Sequence, residues 1–279
     1  MQSHFSSFLL DIPNEFLSLK SPPQKLFFTG DKSLLDFTPK VAIIGSRKPN
    51  QYTQIQTANL AKSISRAGGV VVSGGALGVD IIAHSAALPR TIMFSPSSLD
   101  TIYPANNANI IRQIATNGLI ISEYENNPSP KRYEFLHRNR LVISISDMVI
   151  IPQADRASGS LYSANLAIES KKPLFVLSHR LGESLGTQDL LIQNKAEAIF
   201  SIESFLERVG LNPTTTQPHS SPDTTSQDTH SSPDSSNDIL DFCKTNPSFE
   251  EAYLRYGEEI LSLELEGVIA RVNGRVVLL

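Results

Sequence analysis

The sequence has no tryptophan and only one cysteine, Cys243, among 279 residues. A single thiol makes no intrachain disulfide and no cysteine-based zinc site, which points to a reducing compartment. No apolar run approaches the roughly 18 residues of a membrane span. The greasiest stretch, Leu141 to Ile151, carries Asp147 and interspersed serines. The first twenty residues contain Asp11 and Glu15 and no basic block followed by an apolar one, so no secretory leader is expected. The expectation is a cytoplasmic protein without membrane insertion. Nucleotide fingerprints are missing too. There is no G-x-x-x-x-G-K-[ST], no G-x-G-x-x-G after the first strand of the repeating pattern, and no G-x-S-x-G. These absences exclude the commonest ATP, dinucleotide and serine-hydrolase sites, and no cofactor and no metal is expected.

What is there is uneven. The net charge of −4 divides into a mildly basic middle, with 17 Lys and Arg against 13 Asp and Glu over residues 40–210, and an acidic end, with 4 against 11 over 211–279. A local anionic ligand fits the middle and is repelled by the end. Residues 211–237 hold 13 Ser or Thr and 4 Pro and repeat His-Ser-Ser-Pro-Asp twice. Such a stretch cannot bury enough apolar surface to offset its ordering entropy, so it reads as a disordered linker.

Upstream of it, short apolar runs alternate with helical patterns. Val41–Gly45, Val70–Ser73, Thr91–Phe94, Leu119–Ser122, Met148–Ile151 and Leu174–Ser178 read as strands. Helices are expected over Thr53–Ala67, Val79–Leu88, Asn107–Thr116, Phe135–Ser146 and Leu161–Lys171. That alternation predicts an α/β fold: a Rossmann-type, doubly wound, mostly parallel sheet over residues 40–210. Residues 1–39 are expected to pack on it as an extension. Beyond the linker, residues 238–279 read as helices Ile239–Lys244, Phe249–Tyr256 and Glu258–Glu266, then Val268–Val272 and Arg275–Leu279 around Asn273-Gly274. Asn-Gly between β-branched runs is a strong hairpin signal. Three helices and a hairpin predict a small winged-helix domain.

Ligands of open parallel sheets bind beyond the carboxyl ends of the strands. There the chain places Gly45-Ser46-Arg47, Ser73-Gly74-Gly75 running to Gly78, Ser95, Ser122-Glu123, Ser178, and Ser158-Gly159-Ser160 opening a helix. Small side chains let a ligand approach the backbone, and hydroxyls with helix N-terminal amides favour an oxyanion. The segment from Lys131 to Arg140 adds Lys131, Arg132, Arg138 and Arg140 with Tyr133 and Phe135. Cations interleaved with aromatics suit a polynucleotide strand, the rings stacking on bases and the cations neutralising phosphates; a solvated charged loop leading into a helix is the plainer alternative. At 100° per residue Arg138 shares a face with Leu141, Val142 and Ile145, so it must meet an anion, either an acid such as Glu123 or a ligand phosphate. Phe135 is either a hydrophobic staple or a stacking platform. Asp80 and His84, four apart, suit a structural hydrogen bond better than an acid–base couple.

Gly45-Ser46-Arg47, Ser73 to Asp80, Ala83-His84, Tyr103-Pro104, Ser122-Glu123, Phe135 with Arg138-Asn139-Arg140, and Ser158-Gly159-Ser160-Leu161 occur in the order of the DNA-processing protein A (DprA/Smf) family. The resemblance spans roughly residues 20–205, and Leu263 to Gly267 is similar to the family's C-terminal winged helix. It implies an extended Rossmann domain that binds incoming single-stranded DNA without sequence preference during natural transformation. It further implies protection of that strand, loading of the RecA recombinase and homodimerisation through the Rossmann domain, with no catalysis. The DNA pocket it implies falls at Arg47, Arg132 and Phe135. The competing resemblance is to lysine-decarboxylase-like phosphoribohydrolases, whose P-G-G-x-G-T-x-x-E is met here only by Pro152-Gln153-Ala154-Asp155 and Ser158-Gly159-Ser160, with no Glu at the required spacing.

Overall fold

A computed structural model describes residues 5–126 and 129–211, and towards the C-terminus residues 239, 242–243, 247–256, 258–265, 268–272 and 274–278. The expected linker at 211–237 lies outside the described residues except for Leu211. The chain divides into two compact units, Met1–Pro218 and His219–Leu279.

The first unit is built on a nine-stranded sheet. Its strands are β1 (Phe8–Leu10), β2 (Leu26–Gly30), β3 (Lys40–Ile43), β4 (Val70–Ser73), β5 (Thr91–Ser95), β6 (Leu119–Ser122), β7 (Met148–Ile151), β8 (Leu174–Leu177) and β9 (Glu197–Ile199). They lie in the order β1-β2-β6-β5-β4-β3-β7-β8-β9. From β6 to β9 every neighbouring pair is parallel, while β1–β2 and β2–β6 are antiparallel. The six strands read from the sequence are all present. The extension before residue 40 does more than pack on the sheet, because it supplies β1 and β2 as its antiparallel edge. β9 was not foreseen, since three residues between exposed turns give too little pattern.

Helices cover both faces, as a parallel sheet requires. Alternation along β3 shows the two layers. Val41 and Ile43 face α1 (Gln51–Arg66), α2 (Val79–Ala87) and α7 (Ile202–Arg208), packing with Leu60, Ile64, Val79, Ala83 and Phe205. Ala42 and Ile44 face α4 (Arg132–Ile145) and α5 (Gly159–Glu169), against Leu141, Val142, Ile145, Ala164 and Ala167. α3 (Ala108–Asn117) sets Ile111 and Ile114 beside Met93 and Ile120, and α6 (Leu185–Ile192) precedes β9.

The second unit contains α8 (Phe249–Tyr256), α9 (Glu258–Leu265) and a hairpin of β10 (Ile269–Val272) with β11 (Arg275–Leu278). Ile239, Cys243, Ala252, Ile260, Ile269 and Val276 form its core. Of the first expected helix only Ile239, Phe242 and Cys243 are described. Among the described residues no helix is long and apolar enough to cross a membrane.

Candidate functional site

The chain runs outward from β3 through β4 and β5 to β6, then crosses back to place β7 on the other side of β3. The β3/β7 junction is therefore a topological switch point, where loops leaving adjacent strands part and open a crevice. A cavity of about 590 Å³ lies at this junction. The loop after β3 supplies Gly45, Ser46 and Arg47, and the segment after β7 supplies Asp155 and Ser158-Gly159-Ser160. Arg132, Phe135, Leu136, Arg138 and Asn139 come from α4, and Tyr162 from α5.

Hydrogen bonds hold the two loops in place. The Ser46 amide donates to the Gln153 carbonyl at 2.9 Å, and the Asn50 amide to the Gln153 side-chain oxygen at 3.0 Å. The carboxylate of Asp80 accepts from the amides of Gly45 at 3.4 Å and Gly74 at 3.2 Å, fastening the turns after β3 and β4 to the first turn of α2. Gly78 enters that helix at φ +82°, where a β-carbon would collide with the Ser46 carbonyl. The same carbonyl accepts from the Val79 amide at 3.1 Å. Across the cavity, the hydroxyl of Ser158 caps α5 by accepting from the Leu161 amide at 3.3 Å.

α4 begins at Arg132, three residues before the expected start. The Lys131 amide donates to the Glu134 carboxylate at 2.5 Å, which satisfies an amide at the helix entrance and extends the helix back past Phe135. The extra turn puts Arg132, Phe135, Leu136 and Asn139 on one face, towards the cavity. The Phe135 ring packs at 5.6 Å from that of Tyr103, and the guanidinium of exposed Arg47 sits 5.3 Å from its centroid.

Arg138 is buried, as its helical position requires, but Glu123 is not its counter-ion. Glu123 is held by Arg140 through two hydrogen bonds of 2.8 and 2.6 Å. Arg138 instead donates to the carbonyls of Gly74 and Phe94 and, at 3.0 Å, to the Asn139 side chain. Its guanidinium lies directly on Gly74, where any β-carbon would displace it. Burial lowers the Arg138 pKa to about 10, against the opposing pull of the Asp80 charge, so it stays cationic at neutral pH. Burial also pushes the Asp80 carboxyl up, and the nearby Arg138 charge and the amides of Gly45, Ala76 and Gly74 draw it back down. Asp80 and His84 do not bond to each other. His84 Nδ1 pairs with the Thr91 hydroxyl at 2.7 Å, and burial first, then the Arg138 charge, lower its pKa to about 3. The Arg138 charge thus offsets part of the cost of burying the Asp80 carboxyl, and both residues lie in the cavity wall. The surface charge of the cavity is set by Arg47 and Arg132 against Asp155.

Of the residues singled out from sequence, Gly45, Ser46, Arg47, Arg132, Phe135, Arg138, Ser158, Gly159 and Ser160 line the one cavity. The rest do not line it. Ser73, Gly74 and Gly75 are buried behind the wall: the Ser73 hydroxyl donates to the Ile43 carbonyl at 2.6 Å, and the Gly75 carbonyl accepts from Asn107 at 3.0 Å. Gly78 shapes the turn without lining the cavity, and Lys131 is exposed outside it. Ser95 bonds within its own loop, to Ser97, and the Ser122 hydroxyl donates to the Ser97 carbonyl of the loop after the neighbouring strand β5 at 2.7 Å. Sequence reasoning missed Leu136, Asn139, Asp155 and Tyr162 in the lining. Asp155 has a signal, its place just past a strand end, whereas Tyr162 reads from sequence as an ordinary helix-surface residue.

The family model for DNA recombination-mediator protein A matches residues 8–210. The DNA processing protein DprA of Bacillus subtilis is 34% identical over 196 residues, covering 69% of this chain and 66% of that protein. Protein Smf of Synechocystis is 35% identical over 211 residues, 73% of this chain and 53% of its own length. The chain thus spans about half to two thirds of these relatives. Among solved structures, DNA processing protein A from Helicobacter pylori, described for its single-stranded DNA binding mode, is 56% identical with a TM-score of 0.73. That match covers 75% of this chain and 97% of the other. DprA from Streptococcus pneumoniae is 31% identical with a TM-score of 0.66, covering 74% of each chain. The chain belongs to the DNA recombination-mediator protein A (DprA) family.

Proposed function

We propose that the chain binds single-stranded DNA, without sequence preference, in the cavity at the β3/β7 switch point. The observation that carries this reading is the convergence of Arg47, Arg132 and Phe135 with the N-terminus of α5 on one cavity. Two surface cations neutralise phosphates, an aromatic ring stacks on a base, and the amides of Gly159 and Ser160 at the start of α5 donate to an oxyanion, the Ser158 amide being held by the Asp155 carbonyl at 3.1 Å. Every base has a π face, so recognition by stacking and charge tolerates any sequence. A duplex hides those faces in its own stack and offers them to the cavity only after unpairing. The single-stranded DNA binding described for the Helicobacter pylori relative supports the same reading.

In this account the protein protects incoming strands in natural transformation and loads the RecA recombinase on them, acting as a homodimer through its first unit and catalysing no reaction. Family membership is the support for these roles. The second unit, with its helices and hairpin, is read as a winged helix. The acidic balance over residues 211–279 disfavours duplex binding there and favours a protein-docking role. The test is a titration of the full chain with oligo-dT and with a duplex of equal length at two salt concentrations. Preference for the unpaired strand, weakening with salt, is expected; equal affinity for both would overturn the reading.

A further inference from the structure

We infer that Tyr162 is a second base-stacking platform, so that the cavity receives two bases, one on each wall. This rests on the single-stranded DNA reading above and adds a residue to it.

Phe135 and Tyr162 both line the cavity, the first from α4 and the second from α5. Their situations differ. The Phe135 ring is already engaged, by the Tyr103 ring at 5.6 Å and the Arg47 guanidinium at 5.3 Å. Tyr162 belongs to no core cluster, and among the described residues its side chain makes no hydrogen bond and no ring contact. It is 46% exposed, so an aromatic ring is wetted on the wall of a cavity edged by two arginines. Its helix explains the placement. Ser160, Ser163, Ala164 and Ala167 take the buried face of α5, which leaves Tyr162 on the side of the N-cap Ser158, four residues earlier. A base on Tyr162 therefore lies within one helical turn of the amides proposed to hold its phosphate. A lone exposed tyrosine needs no explanation; one standing without a ring partner in a polynucleotide cavity has a use for its face.

The absence of tryptophan from the chain supplies the experiment. Tyr162→Trp creates a unique fluorophore, and its emission is expected to be quenched as oligo-dT saturates the full-length protein. In parallel, Tyr162→Ala is expected to weaken oligo-dT binding about 5- to 150-fold, the usual range for one stacked base, while Tyr162→Phe retains wild-type affinity. An abasic oligonucleotide of the same length should bind wild type and Tyr162→Ala alike, because it has no base to stack. If Tyr162→Phe loses as much as Tyr162→Ala, the hydroxyl bonds a phosphate and the stacking proposal fails. It also fails if Tyr162→Ala binds oligo-dT like wild type while Arg47→Ala is weakened, an outcome that leaves the single-stranded DNA reading intact. Failure of the wild-type protein to bind oligo-dT at all would instead remove the reading on which the proposal rests.

Discussion

The guanidinium of Arg47 lies 5.3 Å from the centre of the Phe135 ring, joining the loop after β3 to the first turn of α4 across 88 positions of sequence. A cation over an aromatic face is attracted by the ring quadrupole, by about 0.5–1 kcal/mol where both are wet. That is weak enough for a base to compete for the ring. The contact also holds the two proposed strand-binding groups at one point.

Phe135→Ala should weaken oligo-dT binding by about 1–3 kcal/mol, the value of one stacked base. Phe135 is only half-buried, so the denaturation midpoint should shift little beside the change in affinity. Titration and urea unfolding on the same preparation separate the two. A large loss of stability with unchanged affinity would return Phe135 to the role of a hydrophobic staple.

Arg47→Ala should flatten the salt dependence of binding. Each phosphate neutralised on a single strand contributes about 0.7 to the slope of log affinity against log salt. The mutant slope should fall by that amount, and by about twice that if Arg132 is removed as well. An unchanged slope would take Arg47 off the phosphate path.

How much of this was legible in the sequence depends on the range of each contact. The six core strands were readable because each is a short apolar run bounded by turn residues, a local signal. β1 and β2 were not assigned, because Phe8–Leu10 and Leu26–Gly30 become strands by pairing with each other and with β6. The small residues at strand ends were legible as a class, but strand order decides which of them meet. Only the loops after β3 and β7 flank the switch point, and Ser73 and Ser122 instead satisfy carbonyls at or just beyond the ends of neighbouring strands, 30 and 25 residues away. The burial of Arg138 followed from helical geometry. Its partners did not, since Gly74 and Phe94 lie 64 and 44 residues away.

Arg138→Ala should destabilise the first unit by about 3–5 kcal/mol, because it leaves the Gly74 and Phe94 carbonyls buried without their donor and removes the charge that opposes the cost of burying Asp80. Urea unfolding monitored by circular dichroism measures this. Arg138→Met combined with Asp80→Asn should recover part of the loss. A shift below about 1 kcal/mol in the single mutant would mean that the Gly45 and Gly74 amides alone suffice for Asp80.

His84 gives the protein a pH dependence of known sign. Its folded pKa, about 3, lies below the unfolded value of 6.5, so between those values the unfolded chain binds a proton that the folded chain refuses. Stability is full above pH 6.5 and is lost as pH falls through this window, by up to about 1.4 kcal/mol per unit for one proton. His84→Gln should flatten the loss between pH 6.5 and 4. An identical slope in wild type and mutant would assign acid sensitivity to other groups.

The central claim is that the unpaired strand lies in the β3/β7 cavity. Ultraviolet cross-linking of oligo-dT to the full-length protein, with adduct sites read by mass spectrometry, tests it most directly. Adducts are expected on residues 129–140, which carry Arg132 and Phe135. Adducts confined to residues 239–278, with none on that segment at saturating oligonucleotide, would contradict the claim.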